Sequence, residues 1–285
     1  MDPQLEQWIS DRRQTHLDPA GREIAILDDT TAQAAANQAD CSLGAVYRAA
    51  LAQNVWPLRY VRNHDSLSVE EQYRLATAAV AVIGAGGLGG TVILLLARMG
   101  IGSLTVVDSD GFDETNLNRQ ALSTTASIGK PKSEAAADMV RQINAAVEVR
   151  TFQTAFNAQN AREILDEIDV AVDALDNIPD RLELGKEARK RGIPLIHGAI
   201  AGFEGQVITI FPEDPGLETL YGENLRRSDP QRPEAVLGVP TVTPAIIAGL
   251  QAMEVVKVLL RRGQPLRKTM LHVDLEHGCF NAFQL

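Results

Sequence analysis

The chain has 285 residues, 45% hydrophobic and 22% charged, with a formal net charge of −10. That is length for one large α/β domain with an appendage, and an acidic balance that argues against a general binder of nucleic acid or anionic membranes. Two cysteines, Cys41 and Cys279, supply neither a disulfide framework nor a zinc quartet. Asp2, Glu6 and Asp11 without an apolar stretch leave no visible signal peptide, and the most apolar segment, 91–99, is too short to span a bilayer, so a cytoplasmic protein is expected.

Residues 1–56 read as a helical extension. Leu5, Trp8 and Ile9 have helical spacing, and Asp18-Pro19-Ala20-Gly21 is a turn. The patterns 32–38 and 42–51 have the outline of a helix-turn-helix, with Val46-Tyr47-Arg48 where a recognition helix would sit. Residues 1–60 hold five arginines against eight carboxylates, the wrong sign for a phosphate backbone. A cap that packs on the main domain or a partner subunit is expected instead. The main domain, 57–285, starts in a linker that carries aromatic anchors with Arg59 and Arg62, and Ser68 with Glu71 reads as a capping box.

The stretch 80–110 reads strand, glycine turn, buried helix, strand, acid. Val80-Ala81-Val82-Ile83 leads into Gly84, Gly86, Gly87 and Gly89, with Gly84, Gly86 and Gly89 fitting G-x-G-x-x-G. Such glycines let the backbone turn tightly and approach a ligand, and the first free N–H groups of the helix face an anion. Leu104-Thr105-Val106-Val107 then ends on Asp108, where a ribose-binding acid belongs. The glycine pattern by itself leaves the kind of nucleotide open.

Beyond Asp108 a polar segment runs to Lys130, followed by a helix over 131–144 with Lys132 in its first turn. Strands at 147–152, 170–174 and 195–201 alternate with helices at 158–167 and 179–191. This predicts an α/β fold with a Rossmann-like, doubly wound, mainly parallel sheet. A strand over 205–211 should pair antiparallel to its predecessor, and residues 212–239 form a long loop with several prolines. A helix with Thr243 as N-cap and Pro244 at its first position stops at Gly263, and antiparallel strands at 270–274 and 279–283 close the chain.

The polar residues after the ribose acid cluster as a polyphosphate site would. Asp110, Asn116, Arg119, Gln120 and Lys132 follow it directly, and Asp176 with Asn177 ends a later strand in Asp173-Ala174-Leu175-Asp176-Asn177. In an open α/β sheet these strand ends converge on one crevice. Cations there neutralise a triphosphate, and a carboxylate can hold Mg²⁺. ATP rather than NAD is the expected ligand.

These residues resemble those of the adenylating enzymes that activate ubiquitin-like proteins, most closely the bacterial molybdopterin-synthase and thiamine-biosynthesis adenylyltransferases. The resemblance is carried by Arg59-Tyr60-x-Arg62, the glycine turn, Val107-Asp108-x-Asp110, Asn116-Leu117-x-Arg119-Gln120, Gly129-Lys130-Pro131-Lys132 and Asp173-x-x-Asp176-Asn177. Gly205-Gln206 and Leu250-Gln251-Ala252-Met253-Glu254 extend it; the first 56 residues lie outside it. It implies that the C-terminal glycine carboxylate of a ubiquitin-like sulfur-carrier protein ending in Gly-Gly attacks the α-phosphate of ATP, giving acyl-AMP and pyrophosphate. Asp108 would hold the ribose, Asn116, Arg119 and Lys132 the phosphates, and Asp176 the Mg²⁺, with Asp110 near the α-phosphate. Arg62 would reach the γ-phosphate of a neighbouring subunit, which makes a homodimer with shared ATP sites.

Two departures matter. Many members of this family bind a structural zinc through two C-x-x-C pairs. Here the first pair is absent and only Cys279 stands near the second, so no structural zinc is expected, and a site from His272, His277 and Cys279 would lack a fourth ligand. The segment matching the cysteine that forms a thioester or persulfide, residues 232–240, has none. Competing readings are adenylation of a tRNA or small-molecule carboxylate, as in the threonylcarbamoyl-adenosine dehydratases, and a nucleotide-binding scaffold without turnover.

Overall fold

In the computed structural model, which describes residues 3–222 and 233–285, the chain opens with a module of mixed structure. α1 (Pro3–Arg12) precedes a hairpin of β1 (Gln14–Leu17) and β2 (Glu23–Leu27). Asp18 closes the hairpin turn: its Oδ1 accepts from the N–H groups of Ala20 and Arg22, both at 2.8 Å. α2 (Asp29–Ala39) is capped by Asp28, and α3 (Leu43–Ala52) by Ser42; β3 (Trp56–Pro57) pairs parallel to β2. The extension is therefore not purely helical, because strands of four, five and two residues are too short to show a period in the sequence. The helix-turn-helix outline at α2–α3 exists, but α3 buries Leu43, Val46, Tyr47, Ala49, Ala50 and Leu51, which leaves Val46-Tyr47 in the core and no free recognition face. That core runs on from Ile9, Leu27 and Trp56 into Tyr60, Val61, Ala76 and Ala146.

A 3₁₀ turn over Leu58–Asn63 leads to α4 (Val69–Thr77), started by the expected capping box: Ser68 Oγ accepts from Glu71 N–H and Glu71 from Ser68 N–H. The β-branched run becomes β4 (Ala79–Ile83), buried beyond its first residue, as a strand covered on both faces must be. α5 (Gly87–Met99), β5 (Ser103–Val107), α6 (Lys132–Ile143), β6 (Glu148–Phe152), the single turn α7 (Ala161–Ile164), β7 (Val170–Asp173), α8 (Ile178–Lys190) and β8 (Leu195–Ala201) then alternate. β9 (Glu204–Ile210) folds back antiparallel on β8. α9 (Glu218–Tyr221) and α10 (Pro233–Leu237) interrupt the region read as one loop over 212–239, of which residues 223–232 lie outside the described residues. α11 (Val242–Leu260), β10 (Thr269–Asp274) and β11 (Cys279–Gln284) complete the chain.

The large sheet has the order β11-β10-β9-β8-β7-β4-β5-β6. Strands β6, β5, β4, β7 and β8 are parallel and β9 to β11 antiparallel, as expected for a doubly wound sheet with reversed C-terminal strands. From β4 the chain winds outward through β5 and β6, then returns to β7 on the other side. The crevice at the carboxyl ends of β4 and β7 is thus the topological switch point where such sheets take ligands.

α11 departs from expectation at both ends. It begins at Val242, so Thr243 lies inside it and donates its hydroxyl to the Gly202 carbonyl at 2.7 Å; it ends with Arg261 at φ 51° rather than at Gly263. At 19 residues it, and not 91–99, is the longest apolar helix among the described residues, enough by length to cross a bilayer. Half of it is buried, packed on α5 and β8 as core.

Candidate active site

Two of the glycines are required by close packing at the switch point. Gly84 has φ 97°, and a Cβ there would stand 2.5 Å from the Ala174 carbonyl; a Cβ on Gly89 would stand 1.8 Å from the Gly84 carbonyl. Gly84 therefore joins the turns after β4 and β7, and Gly89 seats α5 on its own turn. Gly86 borders the Gln120 amide and Gly87 borders Pro244.

Asp108, at the end of β5, is bonded to this turn. Its Oδ2 accepts from Ala85 N–H at 2.7 Å and its Oδ1 from Asp110 N–H at 2.9 Å. Burial raises its pKa above the ordinary carboxylate value, against the pull of those two donors. Each oxygen keeps a further lone pair, which suits ribose hydroxyls. Lys132 is 7% exposed, and its Nζ lies 3.1 Å from Asp110 Oδ2, while its N–H donates to the Asp110 carbonyl at 2.9 Å. A cation from the start of α6 is thereby held close to Asp108.

Asn116, Arg119 and Gln120 follow on the next loop. Asn116 is buried and serves its own turn: its Oδ1 accepts from Asp113 N–H at 3.2 Å. The Arg119 guanidinium also folds back, donating to the Thr115 carbonyl and Asn118 Oδ1, both at 2.9 Å. Gln120 is buried beside Gly86, and its Oε1 has no hydrogen-bond partner among the described residues, an acceptor that a bound molecule could satisfy.

Asp176 and Asn177 stand on the turn after β7, next to Gly84. Asp176 is exposed; Asn177 caps α8 by accepting from Asp180 N–H at 3.0 Å. A carboxylate on a strand-end loop next to the glycine turn suits Mg²⁺, which takes one or two protein carboxylates with phosphate oxygens.

Arg62 is not brought to this cluster. Its neighbour Tyr60 packs on Gly100, where a Cβ would stand 2.5 Å from the ring, and Gly100 closes the far end of α5. The glycine turn starts that helix, so its 13 residues put about 20 Å between them. Arg62 is exposed and has no hydrogen bond or ion pair among the described residues. An arginine side chain cannot close that gap within its own chain.

Beneath the Asp176 turn lies a polar network built on Arg181 and His197, two residues that no motif in the sequence singles out. Arg181 is 6% exposed; its Nη1 donates to the Gly198 carbonyl at 2.6 Å and lies 3.3 Å from Asp173 Oδ2, and its Nη2 donates to the Leu175 carbonyl. His197 Nδ1 is 2.7 Å from Asp173 Oδ2, and its Nε2 2.9 Å from the Tyr221 hydroxyl, which also accepts from Gln206 Nε2 at 2.9 Å. Burial would raise Asp173, but the Arg181 charge and the His197 bond outweigh it and hold the carboxyl below its ordinary value. Burial lowers His197 despite Asp173, which fits a neutral ring donating from Nδ1 and accepting at Nε2. From α11, Gln251 Nε2 donates to the Asp173 carbonyl at 2.9 Å. The one available signal was the arginine one helical turn past the Asn177 cap, a spacing that folds it back under the turn.

The His, Cys, Asp and Glu groups near enough to share an ion, among the described residues, are Asp18, His64 and Asp65, and there Arg22 already pairs with both carboxylates. His272 and His277 turn to Glu204 at 3.0 Å and Asp274 at 2.8 Å, and do not gather with Cys279.

The model of the ThiF family matches residues 60–285. The SAMP-activating enzyme E1 of Haloferax volcanii is 39% identical over 225 residues, 76% of this chain and 80% of that protein. The sulfur carrier protein adenylyltransferase of Thermus thermophilus is 38% identical over 218 residues, 74% of this chain and 80% of its own length. The adenylyltransferase and sulfurtransferase MOCS3 of Arabidopsis thaliana is 39% identical over 73% of this chain, but only 45% of that longer protein is covered. Among solved structures, E. coli MccB with ATP superposes with a TM-score of 0.67 at 21% identity, covering 79% of this chain and 71% of that one, a likeness of fold.

Proposed function

The chain belongs to the ThiF family, and on that premise we propose that it adenylates the C-terminal glycine carboxylate of a ubiquitin-like sulfur-carrier protein with ATP, releasing pyrophosphate. The observation that carries the reading is the meeting, at one switch point, of the glycine turn, Asp108, the Asp110–Lys132 pair and the Asp176 turn. A carrier carboxylate oxygen attacks the α-phosphorus of ATP, the bond from that phosphorus to the bridging oxygen breaks, and pyrophosphate leaves with the electron pair. Two anions must meet, so preorganised cations lower the barrier; removing one such donor typically costs about 3 kcal/mol.

In this reading Asp108 accepts from the ribose hydroxyls, and Asn116, Arg119 and Lys132 bind the phosphates. Lys132 is held ready by Asp110, whose carboxylate it exchanges for a phosphate oxygen. Arg119 unfolds from its turn to do the same. Asp176 would hold Mg²⁺, which when bound neutralises phosphate charge. The step leaves no enzyme thioester, so neither Cys41 nor Cys279 takes part. Arg62, too far from its own site, acts on the partner subunit's ATP in a two-fold dimer in the cytoplasm.

Pyrophosphate exchange into ATP tests this, run with a panel of small carriers ending in Gly-Gly and, in parallel, with tRNA and small carboxylates. Exchange that depends on a Gly-Gly carrier supports the proposal. Exchange with the other substrates alone would reassign the acyl group, and Mg-dependent ATP binding with no exchange in any arm would make the chain a scaffold.

A further inference from the structure

We infer that the N-terminal module is the mount of the Arg62 turn, and that Arg22 and Asp29 are positioning residues for the adenylation reaction. This rests on the role given to Arg62 above. The turn Leu58–Asn63 is a six-residue 3₁₀ segment, a length that rarely holds its shape unaided. Both flanks of Arg62 are gripped by residues that lie before residue 60, outside the span of the family match.

On the leading side, Asp29 at the start of α2 forms an ion pair with Arg59, whose Nε donates to Asp29 Oδ1 at 3.2 Å, and the Tyr47 hydroxyl donates to the same carboxylate. Arg59 Nη1 donates onward to the Ile143 carbonyl at 2.9 Å, so one guanidinium ties the module, the turn and α6 together. On the trailing side, Arg22 from the hairpin pairs with Asp65 while its Nε donates to Asp18 Oδ2 at 2.7 Å. His64 stands edge-on to Trp56 with ring centroids 5.3 Å apart. Between the two grips Tyr60 is fixed by Asn144 Nδ2, which donates to its hydroxyl at 2.7 Å, and by the edge of Tyr47.

The module already has an apolar joint with the rest of the chain through Trp56, Tyr60 and Val61. The ionic grips sit outside that apolar joint. They act on Arg59 and Asp65, three residues to either side of Arg62, whereas Arg62 itself is exposed and has no hydrogen bond or ion pair among the described residues. Pinning the backbone there fixes the direction in which a long side chain leaves the surface, and misplacement of about 1 Å in such a group can cost up to a hundredfold in rate.

The test is a set of mutant cycles read by carrier-dependent pyrophosphate exchange. Arg62→Ala should lose about a hundredfold in rate. Arg22→Ala and the isosteric Asp29→Asn should each lower the rate about tenfold and change ATP affinity by calorimetry far less, because the arginine they aim is asked to stabilise the transition state rather than to bind the nucleotide. Arg22→Lys should recover part of the loss. In an Arg62→Ala background neither change should cost more, since a mount without its arginine has nothing to aim. Losses that multiply in the two backgrounds, or no loss at all, would overturn the inference. Failure of both Arg22→Ala and Asp29→Asn to fold would also overturn it, by making the pairs scaffold. A harmless Arg62→Ala would instead refute the role of Arg62, and the mount would fall with it.

Discussion

Replacing Arg181 by Met keeps the apolar stem of the side chain and removes the guanidinium with its donors. Asp173 then loses the buried cation that balances it, and the carbonyls of Gly198 and Leu175 each lose a donor. Breaking a buried pair by removing one partner costs about 3–5 kcal/mol. Asp173 still accepts from His197 and, at Oδ1, from Leu175 N–H at 3.0 Å, which argues for the lower end, about 3 kcal/mol. For a chain of this size that is a fall in Tm of about 6–12 °C. Thermal unfolding followed by circular dichroism reads it directly. Exchange activity should fall as well, because the freed Leu175 carbonyl precedes Asp176. Asp173 has a lowered pKa when folded, so its stabilisation is present above the ordinary value near about 3.9 and lost as pH falls through the lowered one. Without Arg181 the folded carboxyl is less depressed, so the variant has less of this stability to lose, and the gap between the proteins should narrow on acidification. A fall in Tm below about 2 °C, worth less than about 1 kcal/mol, would refute the claim that this arginine holds the turn.

Subunit exchange between Arg62→Ala and Asp176→Ala, each inactive alone, should restore activity towards about a quarter of the native value if Arg62 acts in trans, since half the dimers then hold one intact site; no recovery would place it in cis or outside the reaction. Gly89→Ala should abolish ATP binding in a calorimetric titration, because a Cβ 1.8 Å from the Gly84 carbonyl must displace the turn, and near-native affinity would contradict that packing. His197 has a lowered folded pKa, so the stability it contributes is present above about pH 6.5 and drains away below it. Urea midpoints should fall between about pH 7.5 and 5.5, with a shallower fall in His197→Gln; parallel curves would remove His197 from the account.

The parallel half of the sheet was legible because its strands are apolar, β-branched runs closed by glycine or acid. Val80 to Ile83 runs into Gly84, and Leu104 to Val107 runs into Asp108, so each strand carries its own punctuation. The grouping of Asp108, Asp110 and Asp176 was legible for the same reason, since topology delivers strand ends to one edge whatever the loops do, and Asp110 joins Lys132, at the start of α6, to them. The boundaries of α11 were not, since Thr243 has the look of a cap but spends its hydroxyl on Gly202, a partner 41 residues away in sequence. The N-terminal hairpin escaped because β1 is exposed along its whole length and shows no alternation.

What the sequence could not carry is distance along an element. Arg62 and Lys132 are both cations near a glycine-rich motif, and nothing in their spacing separates a residue beside the glycine turn from one at the far end of α5. The separation comes from Tyr60 packing on Gly100, a contact between residues far apart in the chain that only folding makes. The same holds for Asp173, Arg181, His197 and Tyr221, which come from β7, α8, β8 and α9 and become one network only because β7 and β8 are neighbours. Once that geometry is known, the role proposed for Arg62, which is exposed, gripped on both flanks and out of reach of its own site, requires a second copy of the chain to bring another site to it.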